Sequence, residues 1–233
     1  MKCNQVKNLI IKWLKNYTEN HSISKFIVGV SGGIDSALTS TLCAMTGIKT
    51  IVIFLPINQT KNETDNAKSH MEWLKESYHN IQTETIELSD LFNEFKIVIP
   101  VKFQNKLSLA NSRARLRMTT LYQIAAKENG IVVGTGNKVE DFGIGFFTKY
   151  GDGGVDISPI ADLLKSEVYN IGKELGVNNN ILNAPPTDGL WQDNRTDEDQ
   201  IGASYMQLEW AMNFKGNANK LSSEQKKVLE IYN

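Results

Sequence analysis

The chain has 233 residues, of which 41% are hydrophobic and 22% charged, a composition typical of globular proteins rather than disordered or fibrous ones. Its net charge of −1 gives no general reason to expect nucleic-acid binding, and no apolar run reaches the ~18 residues of a membrane span. Two cysteines without motif spacing indicate a reducing compartment, so we expect a cytoplasmic protein.

Hydrophobic periodicity predicts strands that alternate with helices from the amino terminus onward. The predicted helices are 4–19 (amphipathic, within an N-terminal segment 1–22), 37–45, 62–77, 107–128 and 159–175, the strands are 25–30, 48–55, 81–88 and 131–133, and a helical, charged tail spans 206–233. This alternation predicts one domain, 1–233, built on a parallel sheet with helices on both faces.

Two polar segments, 138–158 and 183–200, have little periodicity and are rich in Gly or Pro. Loops of this length are commonly functional, and we expect both to order around substrate. The loops at 31–36 and 135–140 each follow a predicted strand. Because ligands of parallel sheets bind at the carboxyl ends of the strands, we expect these two loops to share one site.

The first of these loops joins the strand at 25–30 to the helix that follows. Adjacent glycines allow the backbone to approach a ligand closely, and a helix N-terminus favours a phosphate. The spacing excludes the phosphate loop that contains G-K-[ST], because no Lys follows the glycines. S-G-G-x-D-S is instead the signature of the loop with which ATP pyrophosphatases cleave ATP to AMP and pyrophosphate. The residues of this loop are Gly29, Val30, Ser31, Gly32, Gly33, Ile34, Asp35 and Ser36.

The second loop reads G-T-G-N-K-V-E over residues 134–140. It superficially suggests a dinucleotide-binding turn, but Val139 stands where that turn needs its third glycine. Thr135 and Glu140 therefore become candidates for a site shared with the first loop.

The order of the motifs resembles that of ammonia-dependent NAD synthetases. The chain carries S-G-G-x-D-S, N-x-R-A-R-x-R-M at 111–118, G-T-G-N-x-x-E, F-F-T-K-Y-G-D-G-G-V-D at 146–156, P-P-T-x-x-L-W and T-D-E-D. The resemblance covers about residues 25–210, and the segment at 146–156 is its most specific part.

This resemblance implies a Rossmann-like, three-layer α/β/α fold with a mostly parallel five-stranded sheet. It also implies a ligase that uses ATP and Mg²⁺. The carboxylate of deamido-NAD attacks the α-phosphorus of ATP, pyrophosphate leaves, and ammonia then displaces AMP to give NAD. Such a reaction depends on positioning and charge neutralisation rather than on a protein nucleophile.

The resemblance also assigns roles to individual residues. Asp35 and Glu140 resemble the Mg²⁺ ligands, and oxygen ligands completed by phosphate and water suit this ion. Lys165 resembles a phosphate contact that neutralises charge in the transition state, which makes Asp35 and Lys165 the candidate catalytic pair. The expected ATP contacts are the loop 29–36 with Thr135, Lys165 and Thr187, and the expected deamido-NAD contacts are Arg115, Lys149 and Asp156.

Other residues have competing interpretations. Phe146 and Phe147 fit stacking on the nicotinate ring and core packing equally well. Asp152 and Asp199 are candidates for guiding or deprotonating ammonium. Asp152 also suits a Gly-rich turn, and Asp199 three residues after Thr196 resembles a capping box.

The chain departs from the family pattern between Glu140 and Lys149, where it has one extra residue. Asp141 is therefore a rival for the metal position. No nitrilase-like segment accompanies the motifs, so ammonia is the expected nitrogen donor. The resemblance further implies a homodimer, for which the apolar faces of the helices at 4–19 and 107–128 are the candidate contacts.

Two other classes of function remain open at this point. One is another ATP pyrophosphatase, such as a tRNA-thiolating or GMP-amidating enzyme, although neither Cys3 nor Cys43 suits thiolation. The other is a non-catalytic nucleotide-binding module, which could dispense with Asp35, Glu140 or Lys165. All three are present.

Overall fold

The computed structural model describes residues 2–187, 189 and 195–233, and strands alternate with helices through the first two thirds of this part of the chain. The strands are β1 (Lys25–Val30), β2 (Thr50–Phe54), β3 (Ile81–Thr85) and β4 (Gly130–Val133). The helices are α1 (Cys3–Asn20), α2 (Ile34–Met45), α3 (Lys61–Ser77), α4 (Ser89–Val98), α5 (Lys106–Glu128), α6 (Lys165–Glu174), α7 (Asn179–Leu182), α8 (Asp197–Ile201), α9 (Tyr205–Asn213) and α10 (Ser223–Tyr232).

The four strands form a parallel sheet in the order β3-β2-β1-β4. The expectation of five strands is not met in the described residues. In the place of a fifth strand, Ile157 makes a single parallel bridge to Val133, and its carbonyl accepts the Gly134 N–H at 2.8 Å. Pro159 follows two residues later and has no N–H to donate, so the ladder does not continue.

The two faces of the sheet are covered by different helices, which gives the expected three layers. Side chains alternate along β1, so that Phe26 and Val28 face one way and Ile27 the other. The first face packs against α1, α2, α3 and α6, and the second against α4 and α5. The sheet core is therefore mainly apolar, and its buried polar side chains include Thr50 and the hydrogen-bonded pair Ser40 and His70.

The C-terminal helices form a separate apolar cluster beside the sheet. Tyr205 and Leu208 of α9 and Val228 of α10 pack around Val139, next to a π-helical turn at Glu140–Ile144. This packing brings the C-terminal part of the chain against the loop that follows β4.

The helix predicted at 159–175 begins later, at Lys165. The Leu164 N–H donates to the Glu167 carboxylate at 2.9 Å and so satisfies one of the free donors at the helix start. Residues 159–164 are irregular, but Ile160 and Leu163 are buried and account for the apolar periodicity. None of the described helices combines the length and hydrophobicity that crossing a bilayer demands.

Candidate active site

The loop between β1 and α2 is held by its own side chains. The Ser36 hydroxyl accepts the Ser31 N–H at 3.2 Å and donates to the Gly33 carbonyl at 3.0 Å, and the Ser31 hydroxyl accepts the Gly33 N–H at 3.2 Å. These bonds fix the loop at the N-terminus of α2, where free N–H groups and the helix dipole favour an anion.

Gly32 requires glycine for two reasons. Its φ is +90°, a conformation that other residues rarely adopt. A Cβ at this position would also lie 2.5 Å from the Glu63 carbonyl oxygen of α3. The loop is therefore in direct backbone contact with the neighbouring helix.

A cleft of about 990 Å³ opens at the carboxyl ends of β1, β2 and β4. As expected, the loops after β1 and β4 share it. All the predicted ATP contacts line it, namely residues 29–36, Thr135, Lys165 and Thr187, and so do Glu140, Phe146, Phe147 and Asp152. Its volume is in the range of sites for nucleotide-sized ligands.

Three charged side chains meet at the bottom of this cleft. The Lys165 ammonium lies 2.6 Å from Asp35 Oδ2 and 2.7 Å from Glu140 Oε1, and its side chain is only 4% exposed. Asp35 is in the first turn of α2, Glu140 begins the π-helical turn, and Lys165 begins α6. Residues far apart in sequence are thus brought together by the starts of three helical elements.

Burial and mutual attraction set the protonation of this centre. Burial raises the pKa of Asp35, and the nearby Lys165 offsets this only in part. Burial acts in the same direction on Glu140, but Lys165, together with hydrogen bonds from Tyr205 and Asn137, outweighs it and holds the pKa of Glu140 below its ordinary value. Burial opposes the charge of Lys165, yet the two carboxylates together keep its pKa above the usual range. The lysine is therefore a permanent cation.

Asn137 completes the centre and was missed in the motif interpretation. Its side-chain N–H donates to Asp35 Oδ1 at 3.0 Å, while its Oδ1 accepts the backbone N–H groups of Val139 and Glu140 at 3.0 and 3.1 Å. Asn137 is fully buried. Its burial points to a role in the site, but burial cannot be read from a single sequence.

Asp141 is not one of the two ion-pair partners of Lys165, which are Asp35 and Glu140. Its carboxylate occupies the space beside Gly136, where a Cβ would be 2.0 Å from Asp141 Oδ2. Burial, together with Asp152 and Glu140, raises the pKa of Asp141 to about 7. Of the two rivals for the metal position, the structure therefore pairs Glu140, and not Asp141, with Lys165.

The three predicted deamido-NAD contacts lie on the side of α5 rather than in the lining of the cleft. Arg115 Nε donates to the Lys149 carbonyl at 3.1 Å, and both side chains are exposed. Asp156 accepts the Tyr122 hydroxyl at 3.0 Å and the Val132 N–H at 2.8 Å. Arg115 lies on α5, and Lys149 and Asp156 are at the two ends of the 149–156 loop, which contacts α5 through these residues.

The loop at 146–156 is braced from within. Asp152 accepts the Thr148 N–H at 3.0 Å, and the Thr148 hydroxyl donates to Asn111 of α5 at 2.8 Å. The Phe147 ring packs on Gly153, where a Cβ would lie 2.4 Å from it. Asp152 thus has the turn-stabilising contact considered above, while it also faces the cleft.

The T-D-E-D run divides its acids among different contacts. Asp199 forms the capping box of α8, in which its N–H donates to the Thr196 hydroxyl and its carboxylate accepts the Thr196 N–H. Glu198 Oε1 accepts the Tyr205 N–H at 2.8 Å, and the buried Asp197 lies 3.2 Å from the Tyr205 hydroxyl. Asp193 and the Leu-Trp pair of P-P-T-x-x-L-W lie outside the described residues.

The fold and the cleft define an α/β nucleotide-binding protein with a charged centre at the carboxyl edge of its sheet. The chain belongs to the NAD synthase family, whose model matches residues 6–232. The prediction of the family from the motifs is therefore confirmed.

Individual relatives agree with this assignment. An NH(3)-dependent NAD(+) synthetase of Methanosarcina acetivorans is 35% identical over 97% of this chain and 86% of its own length. The structure of an NMN synthetase from Francisella tularensis matches with a TM-score of 0.89 and 33% identity, over 100% of this chain and 93% of that one. An NH3-dependent NAD synthetase from Campylobacter jejuni matches with a TM-score of 0.79 and 25% identity, over the same shares of the two chains.

Proposed function

We propose that the protein makes NAD by the ATP-dependent amidation of deamido-NAD with ammonia. The observation that carries the proposal is a buried lysine clamped between Asp35 and Glu140 directly behind the S-G-G-x-D-S loop, in a chain of the NAD synthase family. Membership of this family also makes ATP the co-substrate.

The residues of the cleft suit the first half of this reaction. The loop 31–36 and the start of α2 hold the phosphates, so that the substrate carboxylate reaches the α-phosphorus in line with the leaving pyrophosphate. Lys165 supplies a fixed positive charge where negative charge develops on the α-phosphate. Ammonia then attacks the activated carbonyl, AMP departs, and the nitrogen loses a proton.

We further assign Asp35 and Glu140 as the protein ligands of Mg²⁺. In the described residues no cluster of three or more acidic, His or Cys side chains could hold a metal ion by itself. Two carboxylates completed by phosphate oxygens and water are what Mg²⁺ ordinarily uses with a nucleotide, so the donor set fits this ion. When bound, Mg²⁺ would neutralise charge on the phosphates.

A direct test measures AMP and pyrophosphate with purified protein, ATP, Mg²⁺, ammonium and deamido-NAD. We expect both products in equal amounts, together with NAD, and none without the acid substrate. Asp35→Asn should abolish adenylation but weaken deamido-NAD binding, measured by calorimetry, far less. Equal losses in the two measurements would remove Asp35 from the metal site.

A second candidate substrate is the mononucleotide, nicotinic acid mononucleotide, which would give NMN. The likeness to the Francisella tularensis NMN synthetase favours this possibility, because that structure spans the whole chain at a TM-score of 0.89. Comparison of kcat/KM for the two acids under the same ATP and ammonium concentrations distinguishes them. A ratio above ten in either direction would assign the physiological substrate class.

We also propose a homodimer in the cytoplasm. The exposed apolar side chains concentrate on what we call the α4–α5 surface, formed by Ile97, Val98, Val101, Phe103 and Leu107, which are 60–82% exposed. The stripe of α1 offers less, since its Ile10 and Leu14 already cover the sheet. Both cysteines are free, which agrees with a reducing compartment.

A further inference from the structure

One side chain of the C-terminal part reaches the charged centre. Tyr205 is the first residue of α9 and is 7% exposed. Its hydroxyl donates to Glu140 Oε1 at 2.5 Å and lies 3.2 Å from Asp197 Oδ2, and its ring lies 4.9 Å from the Lys165 ammonium. No motif in the sequence drew attention to this tyrosine.

Packing alone does not explain the hydroxyl. The ring belongs to the apolar cluster around Val139 and Leu208, which phenylalanine would fill equally well. A hydroxyl carries one proton, so only one of the two carboxylates can receive it at a time. The shorter distance indicates that Glu140 is its main acceptor, and bonds to an ionised carboxylate are stronger than neutral ones.

The bond matters because of how Glu140 is otherwise held. Glu140 begins a short π-helical turn rather than a regular helix, and its side chain has several rotatable bonds. Lys165 and Tyr205 both donate to Oε1, and the Asn137 side chain also interacts with this carboxylate and helps to lower the pKa of Glu140. The two short hydrogen bonds fix Oε1, so that Oε2 is the oxygen they leave for a metal ion.

Tyr205 is itself anchored to the wall of the cleft. Its N–H donates to Glu198 and its hydroxyl contacts Asp197, while the Asp197 N–H donates to the Pro186 carbonyl at 3.0 Å. Pro186 and Thr187 line the cleft. A continuous path of contacts thus leads from Pro186, next to the predicted ATP contact Thr187, through Asp197 and Tyr205 to Glu140.

We propose that Tyr205 is a positioning residue: its hydroxyl holds Glu140 Oε1 so that Oε2 is presented to the metal ion that accompanies ATP, and Asp197 holds the phenol in place. The proposal rests on the metal site under the proposed function. It gives the T-D-E-D run a part in metal binding without direct contact with the ion. Residues that orient metal ligands typically change metal affinity by about 10–100-fold when they are removed.

The test uses Tyr205→Phe and measures Mn²⁺ affinity by electron paramagnetic resonance, with α,β-methylene ATP bound so that no turnover occurs. We expect affinity to fall at least about tenfold, while metal-free binding of the analogue stays unchanged. In the amidation assay, the Mg²⁺ concentration at half-maximal rate should rise more than kcat falls. A merely structural role for Tyr205 would not change metal dependence selectively.

Tyr232→Phe is the matched control. Tyr232 belongs to the same apolar cluster, and its ring packs beside Gly143, but none of the described residues forms a hydrogen bond with its hydroxyl. The same loss of one hydroxyl there should leave Mn²⁺ affinity at the wild-type value. Circular dichroism and thermal unfolding of both variants verify the fold.

Asp197→Asn keeps the proposal falsifiable if Tyr205→Phe does not fold. It should lower Mn²⁺ affinity less than Tyr205→Phe, and the double variant should be no weaker than Tyr205→Phe alone. Asp35→Asn serves as the reference, because it should lose the ion. If it does, wild-type Mn²⁺ affinity in a folded Tyr205→Phe or Asp197→Asn variant would overturn the proposal. Full affinity in Asp35→Asn and Glu140→Gln would instead overturn the metal site itself.

Discussion

Lys165 is the residue whose charge balances both carboxylates of the charged centre. It is buried between two carboxylates, and its removal would leave both without a cation in a region shielded from water. Loss of one partner from a buried ion pair commonly costs about 3–5 kcal/mol of unfolding free energy. The lysine therefore contributes to stability as well as to the proposed chemistry.

Lys165→Met should reduce the rate of AMP formation by about 100-fold or more, because a fixed charge at the developing oxyanion is lost. Chemical denaturation should show reduced stability at pH 7.5. Lys173→Met, an exposed position on the same helix, is the control and should change neither. Turnover within twofold of wild type in Lys165→Met would exclude the proposed role.

His70 gives the fold a calculable pH dependence away from the cleft. Its Nε2 lies 2.8 Å from the Ser40 hydroxyl, and burial lowers the pKa of His70 to about 4. In the unfolded chain, histidine titrates near 6.5. Between these values the unfolded state binds more protons, so stability is complete above about pH 6.5 and falls as pH decreases toward 4.

Because of His70, we expect the unfolding free energy to be about 2 kcal/mol lower at pH 5 than at pH 7. Urea denaturation at the two pH values measures it, with His70→Gln as the comparison, since glutamine fills similar space and does not titrate. A variant whose stability falls as steeply with pH as that of wild type would assign the effect to other groups.

At the level of elements, the phosphate loop and α3 act as a unit. Gly32 and Gly47 both have positive φ, +90° and +78°, but only Gly32 is crowded. A Cβ at Gly47 would meet nothing within 4 Å, whereas one at Gly32 would collide with the backbone of α3. Comparison of substitutions at Gly32 and Gly47 therefore separates the energetic cost of a left-handed backbone from the cost of a steric collision with α3.

Gly32→Ala should weaken ATP binding strongly and lower the melting temperature by more than Gly47→Ala does. Both variants carry the conformational cost of about 1 kcal/mol for a left-handed residue, and only the first displaces the loop. Calorimetric titration with ATP and thermal unfolding provide the two measurements. Equal losses in the two variants would show that the contact with α3 is unimportant.

The elements were largely predictable because β1, β2 and β4 carry apolar runs, β3 alternates, and most of the long helices carry an apolar stripe. The later start of α6 was not predictable, since Ile160 and Leu163 repeat at helical spacing although they precede the helix. The π-helical turn at Glu140–Ile144 was not predictable either, because the segment 138–158 has little periodicity.

At the scale of the whole molecule, the α4–α5 surface, which we propose as the dimer contact, leads to a further prediction. Replacing Val101 and Phe103 by aspartate should give a monomer in light scattering and lower kcat/KM for the acid substrate, because Arg115 lies on α5, the helix that follows these two residues. Leu9→Asp on α1, which is 68% exposed, is the control and should remain dimeric. A monomeric wild type with full activity would remove the dimer from the proposal.

The candidate site was predicted from sequence only as far as motifs reach. S-G-G-x-D-S and G-T-G-N-x-x-E indicated two loops at one edge, and the structure brings both to one cleft. The contacts of Asn137 and Tyr205 depend on tertiary packing between segments more than 60 residues apart, for which a single sequence carries no signal.

The self-bonded loop wedged against α3 also has a thermodynamic consequence for ligand binding. Its serine hydroxyls and Gly32 fix the backbone before any nucleotide arrives, so the conformational entropy of ordering the loop is lost during folding and not on binding. Nucleotide affinity is then reduced little by loop ordering. The same contact between the loop and α3 thus contributes both to the stability of α3 and to the affinity for ATP.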